Sequence, residues 1–387
     1  MTPLVFAVLA VFVLALITGA SGWLSPVAAF HLLVAAGVLP LICGAMLHFV
    51  PVLTRTGAPH RFFQVLPWLA QGLGLGVVLA LQEPGLRCLL HPLSALLAGL
   101  ALALIFWMKS RAKACLGTPH PGWRWYGCSL ACLLLALLVV PLLLAVPAAY
   151  RPLRSLHLHL NTLGFVGLAA LGTLPLLLPT ALGQHDPDAR HWLRRYLWPV
   201  LGSVLVLTGG TALAALDGMA LVGPLLAAVG LVLLVYPVLR LLVHWQRRFG
   251  FSSLWRDGAT ASLLLAVPGF MLLQLAGLLH GFQRLEPRLA ILALGPAFLL
   301  PLVLGALSQL LPVWCHPGPA TPNRLALRQR LAAGGAGRAL LFLGAACAIL
   351  LGHELPGMGL VGLGLGHFLL ALVAGLLQSL PGSERAR

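Results

Sequence analysis

An all-α integral membrane protein with about twelve transmembrane helices is the fold that the sequence predicts, and three observations predict it. The 387 residues are 60% hydrophobic and only 8% charged, which is too few charges to cover a soluble protein of this length. Apolar stretches of about twenty residues recur along the whole chain, and each is long enough to cross a bilayer. Related segments return three times, so we expect the helices in three groups of four.

Glycine and proline clusters separate the apolar stretches, because these residues end helices. The first stretch lacks a preceding basic region and is long, so we expect a retained helix rather than a signal peptide. In chain order, the predicted helices occupy residues 3–23, 26–53, 65–82, 88–108, 126–149, 154–183, 195–215, 217–243, 259–281, 287–313, 337–352 and 356–380.

The basic residues are divided unevenly between the two sets of loops. Loops after even-numbered helices, with the C-terminal tail, hold 19 of the 24 lysines and arginines, and the opposite loops hold Arg87, Arg151, Arg154, Arg284 and Arg288. Cytoplasmic loops carry the excess of basic residues in membrane proteins. We therefore expect a bacterial inner-membrane protein with both termini in the cytoplasm. The net charge of +16 follows from this topology, so nucleic acid is not expected as a partner.

Three segments carry the internal repeat. They read GAMLHFVPVLTRTG, GTLPLLLPTALGQH and GALSQLLPVWCHPG, and they begin at Gly44, Gly172 and Gly305. The segments lie in predicted helices 2, 6 and 10, so each repeat corresponds to four helices. We expect one membrane domain with repeats at about 1–125, 126–257 and 258–387, packed around a pseudo-symmetry axis with sites where the repeats meet.

A histidine precedes the repeat glycine by 13 residues in the first two repeats. His31 stands before Gly44 and His159 before Gly172, whereas Leu292 occupies the matching position of the third repeat. An imidazole inside a membrane is costly unless it is paired or binds a ligand. Its neutral ring nitrogen ligates haem iron and copper. His31 and His159 are therefore the first candidates for cofactor and metal ligands.

Two more histidines are candidate ligands. His157 precedes His159 by two residues, so both rings face the axis only if the helix begins after His157. His367 lies in the otherwise apolar stretch GLGLGHFLL of predicted helix 12. Three histidines near predicted helix ends are equally well explained by the membrane interface: His91, His280 and His353.

Polar residues around predicted helix 6 provide supporting groups. Arg151 and Arg154 precede the histidines, and guanidinium groups pair with carboxylates such as haem propionates. Anchoring to lipid headgroups explains these arginines as well. Asn161 and Thr162 follow the histidines and could hold a ligand by hydrogen bonding, although bonding between helices is their simpler role.

Cysteines and acidic residues exclude several kinds of site. The seven cysteines form no CxxC pair and no CxxCH motif, so a covalently attached haem is not expected. All eight acidic residues lie outside the predicted spans or at their edges. Proton pumps and ion-coupled carriers commonly place a carboxylate at mid-membrane. Its absence from the predicted spans argues against those two functions.

The spans, the repeat and the histidines of helices 2 and 6 resemble subunit I of haem–copper oxidases. The shorter NnrS-type haem- and copper-containing membrane proteins, which are associated with nitric oxide metabolism, are a closer match. The resembling segments are FHLLVAAGVLPLICGAMLHFVPVLTRTGAPHR and LHLHLNTLGFVGLAALGTLPLLLPTALGQH. This resemblance implies His31 as a haem ligand and His157 or His159 as a haem or copper ligand. It further implies a b-type haem, with copper as a second candidate, and nitric oxide or a respiratory complex as partners.

Departures from the oxidases narrow the expected activity. Residues 287–313 contain no histidine, and predicted helix 7 lacks the oxidases' histidine pair for copper. Oxidases often place a tyrosine four residues after the helix 6 histidine, where this chain has Asn161 or Leu163. A conventional proton-pumping, oxygen-reducing centre is therefore not expected.

Three functions remain open on the sequence. The first is a haem-binding membrane protein, with copper as a second candidate cofactor, in respiratory or nitric-oxide-related redox metabolism. The second is a transporter or channel without a cofactor, and the third is a non-catalytic, oxidase-like partner that assists assembly of another complex. Whether the protein is an enzyme is left open, because a free coordination position cannot be recognised in a sequence.

Overall fold

The computed structural model describes residues 1–378, which are largely helical and contain no β-strand. Within them, twelve helices are long and apolar enough to cross a membrane, which confirms the predicted all-α membrane fold. We number them α1 (Thr2–Ser21), α2 (Pro26–Thr54), α3 (Arg61–Gln82), α4 (Pro84–Lys113), α5 (Gly122–Ala145), α6 (Pro147–Ala181), α7 (Ala189–Leu213), α8 (Val222–Phe249), α9 (Gly258–Gly281), α10 (Pro287–Cys315), α11 (Pro322–Leu350) and α12 (Glu354–Gln378).

Predicted and observed helices agree in order, and they differ mainly where a helix begins with polar residues. α6 begins at Pro147 rather than residue 154, and α11 at Pro322 rather than residue 337. The added part of α11 is the arginine-rich helix Pro322–Ala332, whose first turn is capped by Thr321. Hydropathy alone does not detect such a segment. Residues 379 and 380 of predicted helix 12 and the basic residues Arg385 and Arg387 lie outside the described residues.

The chain divides into two compact units. The first comprises Met1, Pro3–Thr173 and Pro187–Pro237. The second comprises Thr2, Leu174–Asp186 and the chain from Val238 onward. Helices α2 to α5, α7 and most of α6 therefore belong to the first unit, and α9 to α12 belong to the second. The single membrane domain with three four-helix repeats stays a prediction.

Helices α2, α6 and α10 share a local deviation from α-helical geometry. Each contains a π-helical segment that begins 10 to 12 residues before its repeat glycine, at Gly44, Gly172 or Gly305. A π-helical turn contains an extra residue, so each N–H donates to the carbonyl five residues earlier instead of four. The three segments are Leu32–Val38, Leu160–Gly167 and Gly295–Leu299.

Neighbouring helices pack closely on these π-helical segments. In the first unit, the Ser129 hydroxyl of α5 donates to the Phe165 carbonyl at 2.7 Å, and Gly74 of α3 lies directly against the Ala35 carbonyl. In the second unit, Gly269 of α9 lies directly against the Ala297 carbonyl. A Cβ atom at either glycine would overlap that oxygen. The π-helical segments of α2 and α10 are therefore places where two backbones touch, and that of α6 receives a side-chain hydroxyl.

Candidate metal site

The imidazoles of His31 and His157 lie together in the first unit. Their ring centroids are 6.4 Å apart and their planes are inclined by 21°. His31 is the last residue before the π-helical segment of α2, and His157 lies three residues before that of α6. Equivalent stretches of two repeat helices thus bring two imidazoles side by side.

Backbone carbonyls determine which ring nitrogen of each histidine is available. His31 Nδ1 lies 2.8 Å from the Val27 carbonyl of its own helix. His157 Nδ1 lies 2.9 Å from the Ala136 carbonyl of α5. A carbonyl oxygen only accepts, so each Nδ1 carries the proton and each Nε2 keeps its lone pair. Histidines that ligate a metal are usually held in this way.

The two rings are near neighbours, with centroids 6.4 Å apart, and each would offer one Nε2 lone pair to a metal. Neutral imidazole suits copper and haem iron. The donor set of His31 and His157 therefore fits either group.

Asn161 is the polar side chain beside this pair. Its amide Nδ2 donates to the His157 carbonyl at 2.8 Å and lies 3.4 Å from His157 Nε2. Thr162, the other predicted supporting residue, donates to the Leu158 carbonyl of its own helix at 2.9 Å. The structure therefore places Asn161, four residues after His157, next to the ring, and it gives Thr162 a bond within α6.

His159 lies on another side of α6 and contacts α7. Its Nδ1 is 2.8 Å from the Ser155 carbonyl and 3.2 Å from the Thr211 hydroxyl. The α-helical part of α6 begins at Tyr150, before both histidines, so their rings point in different directions. The repeat register led us to expect His31 with His159, whereas the structure brings His31 together with His157. The sequence did contain one signal for His157, which is that the polar residue Asn161 follows it by four residues.

His367 belongs to the second unit and is used differently. Its Nδ1 lies 3.0 Å from an Nη of Arg338. Because arginine only donates, Nδ1 accepts here and the proton of the neutral ring is on Nε2. In this arrangement neither ring nitrogen offers a free lone pair. We therefore leave His367 out of the ligand set proposed below.

Arg151 and Arg154 are exposed in the first turns of the helix Tyr150–His159. They stand on the segment that carries His157, as the sequence indicates. Exposure there is compatible with pairing to a propionate and with anchoring to lipid headgroups. A role in cofactor binding stays a prediction for both residues.

A second group of metal-ligand types was missed by the sequence analysis. In the second unit, His244 Nε2 lies 2.9 Å from Asp186 Oδ2, and the Asp186 side chain is 1% exposed. Carboxylate and imidazole are side-chain types that hold divalent metal ions. A sequence separation of 58 residues between Asp186 and His244 hides this contact from local pattern analysis.

No protein-family model, curated protein or solved structure matches this chain. The resemblance to haem–copper oxidase-like and NnrS-type proteins therefore stays a prediction based on the sequence motifs. The structure shows a multi-pass membrane protein with two neighbouring imidazoles. The Nδ1 atom of each imidazole bonds to a backbone carbonyl, so its Nε2 atom keeps a lone pair.

Proposed function

We propose that this protein is a haem- or copper-binding integral membrane protein of the haem–copper oxidase-like, NnrS-like group. It acts in respiratory or nitric-oxide-related redox metabolism, in a bacterial inner membrane with both termini in the cytoplasm. The single observation that carries the proposal is the His31–His157 pair, with ring centroids 6.4 Å apart and both Nδ1 atoms held by carbonyls. The charge distribution of the loops supports the orientation.

In this proposal each residue of the pair has a defined task. His31 and His157 ligate through Nε2, and the Val27 and Ala136 carbonyls keep the rings in the required tautomer. Asn161 anchors the helix beside His157 through its bond to the His157 carbonyl, and its Nδ2, 3.4 Å from His157 Nε2, would give up that second contact when a metal binds. A haem iron or copper ion held there supplies one-electron chemistry and affinity for small gaseous ligands such as nitric oxide.

Visible absorption spectra of the detergent-purified protein, oxidised and dithionite-reduced, test the proposal together with metal analysis of the same sample. We expect near-stoichiometric haem or copper in the wild type. His31→Ala and His157→Ala remove a ligand, so both variants lose the haem band or the bound copper. His159→Ala is the matched control, because it removes an imidazole two residues away that bonds to Thr211.

Two outcomes would contradict the proposal. One is a colourless, metal-free protein that stays so after supplementation with haem and copper, which would favour the carrier or assembly-partner functions. The other is a cofactor that survives His31→Ala and His157→Ala but is lost in His159→Ala. That result would restore the register expected from the repeat.

A further inference from the structure

A cavity of about 260 Å³ lies in the second unit, where α9 begins and α11 is interrupted. Arg256, Asp257 and Arg328 line it together with the backbone around Gly334 and Gly335. A water molecule occupies about 30 Å³ in the liquid, so the cavity has room for a tetrahedral oxyanion and several waters. The lining residues stand at the start of α9 and at the break between the arginine-rich part Pro322–Ala332 of α11 and its apolar part Gly335–Leu350, so we place the cavity at the membrane edge.

The backbone at this cavity presents the start of a helix. The second helical part of α11, Gly335–Leu350, has the left-handed Gly334 (φ 66°) at its N-cap and no side-chain cap. The first N–H groups of a helix lack partners within the helix and carry partial positive charge. At α9, by contrast, Asp257 Oδ1 accepts from the Thr260 N–H at 3.0 Å. The uncapped amides are thus those of α11.

The side chains that line the cavity are predominantly cationic. Arg328 is fixed in place, since it donates to Gln309 Oε1 at 2.7 Å, to Asp257 Oδ2 at 3.0 Å and to the Ala181 carbonyl. Arg256 is exposed and also lines the cavity, and it takes no part in the hydrogen bonds of Arg328. Asp257 is the one carboxylate in the wall against two guanidinium groups. The wall therefore has an excess of positive charge.

A third arginine adds to this excess from within the protein. Arg338, in the first turn of the helix Gly335–Leu350, is only 2% exposed. Its bonds run to the Leu331 and Ala333 carbonyls and to His367 Nδ1, and its Nε is buried without a partner. None of these partners carries a negative charge, and a buried, uncompensated charge is costly. An anion in the adjoining cavity would offset that cost.

We propose that this cavity is a binding site for a phosphate-type oxyanion, either free phosphate or the phosphate of an anionic lipid headgroup. Uncapped helix amides and guanidinium groups are the donors that proteins use for phosphate. Basic pockets at the membrane edge between transmembrane helices are also where anionic headgroups bind. The site is independent of the His31–His157 pair, and it requires no haem or metal.

Thermal unfolding of the full-length protein tests the proposal in two arms. In detergent, inorganic phosphate is titrated at constant ionic strength. In nanodiscs, phosphatidylglycerol is compared with phosphatidylcholine. We expect at least one probe to raise the Tm, since a ligand that binds only the folded state stabilises it. A response to phosphate alone identifies the free anion as ligand, and a response to phosphatidylglycerol alone identifies the headgroup.

Arg256→Gln should weaken binding of the effective probe about tenfold or more, because one charge-assisted hydrogen bond is lost. Arg247→Gln is the matched control, since Arg247 is exposed in the same unit and lies outside the cavity wall. Ala336→Asp supplies a second variant. A carboxylate in the first helical turn suits the helix dipole, so it should preserve the Tm without ligand while abolishing the response. A wild type that responds to neither probe, or equal responses in wild type and Arg256→Gln, would overturn the proposal.

Discussion

α2 of the first unit and α10 of the second share a backbone feature but differ in the side chain that precedes it. Both contain a π-helical segment at a similar distance from the repeat glycine. Both segments receive a glycine of a neighbouring helix, Gly74 on Ala35 and Gly269 on Ala297. Yet His31 precedes the segment in α2, whereas α10 has Leu292 at the matching position. The backbone feature therefore belongs to packing, and the imidazole is a separate chemical addition.

The two units differ again in how they hold an imidazole. In the first, the Nδ1 atoms of His31 and His157 face carbonyl oxygens, so each ring keeps a lone pair on Nε2. In the second, His367 Nδ1 faces Arg338, so the lone pair is already used. An intramembrane histidine is thus a ligand candidate or a structural acceptor according to the group at its other nitrogen.

The largest expected effect is a loss of stability at the close glycine contacts that both units contain. Gly74→Ala and Gly269→Ala each place a Cβ on a carbonyl oxygen of the neighbouring helix. Because backbone atoms must shift to relieve this overlap, we expect each change to cost about 3 kcal/mol or more. Folded yield and Tm in detergent measure the loss.

Matched controls lie on the same helices. Gly72 of α3 and Gly277 of α9 have no heavy atom within 4 Å of the position that a Cβ would take. Gly72→Ala and Gly277→Ala should therefore leave the Tm unchanged or raise it slightly, since alanine favours helix. If only one of the two close-contact variants were destabilised, the π-helical segments would not play the same packing role in both units.

An intermediate effect is expected where the two units differ. His367→Ala removes an acceptor from the buried Arg338, so it should lower the free energy of unfolding by about 2 kcal/mol. Cofactor content should be unchanged. His31→Ala should do the reverse, with loss of cofactor and little change in the Tm of the metal-free protein. Absorption spectra and thermal unfolding of both variants separate the two roles, and loss of cofactor in His367→Ala would show that this distinction is wrong.

The membrane fold could be predicted because hydropathy and breakers act locally. α2 and α10 begin where the sequence places them, at Pro26 and Pro287. The first residues of helices that begin with charged turns were harder to predict, because hydropathy does not show whether a charged segment is helical. The arginine-rich segment Pro322–Ala332 of α11 shows this, since its amphipathic residues resemble a loop.

The candidate site could be predicted in its residues but not in its pairing. Repeat register favoured His31 with His159, the resemblance left His157 or His159 open, and a late helix start was expected only if both were to face the axis. The helix starts early, at Tyr150, and still directs His157 rather than His159 towards His31. His157 and His159 both precede the π-helical segment, on the α-helix Tyr150–His159, so the choice between them depends on which face of that helix meets α2. Repeat spacing alone does not reveal this face. The Asp186–His244 contact was missed because it joins distant parts of the sequence.

The smallest effect concerns two histidines of the first unit that make the same local bond in different surroundings. Nδ1 of His120 accepts from the Gly122 N–H at 3.3 Å, and Nδ1 of His60 accepts from the Phe62 N–H at 3.3 Å. His60 is exposed, whereas His120 is partly buried. Burial, and to a smaller extent the nearby charge of Arg190, lower the pKa of His120 to about 4.

Acidification should therefore destabilise the protein through His120. The unfolded chain titrates with the ordinary histidine pKa of about 6.5, so between pH 6.5 and 4 the unfolded state binds more protons than the folded state. Stability falls as the pH falls through this window, and above it His120 has no effect. Because the ring is partly solvated, screening reduces the contribution to about 1 kcal/mol.

His120→Asn keeps an acceptor for the Gly122 N–H and removes the titration. We expect the loss of Tm between pH 7.5 and pH 4.5 to be smaller in His120→Asn than in the wild type. His60→Asn makes the same exchange at the exposed cap, and it is the matched control. Equal losses of Tm in all three proteins would mean that the surroundings of His120 do not oppose its protonation, and that the two caps are equivalent.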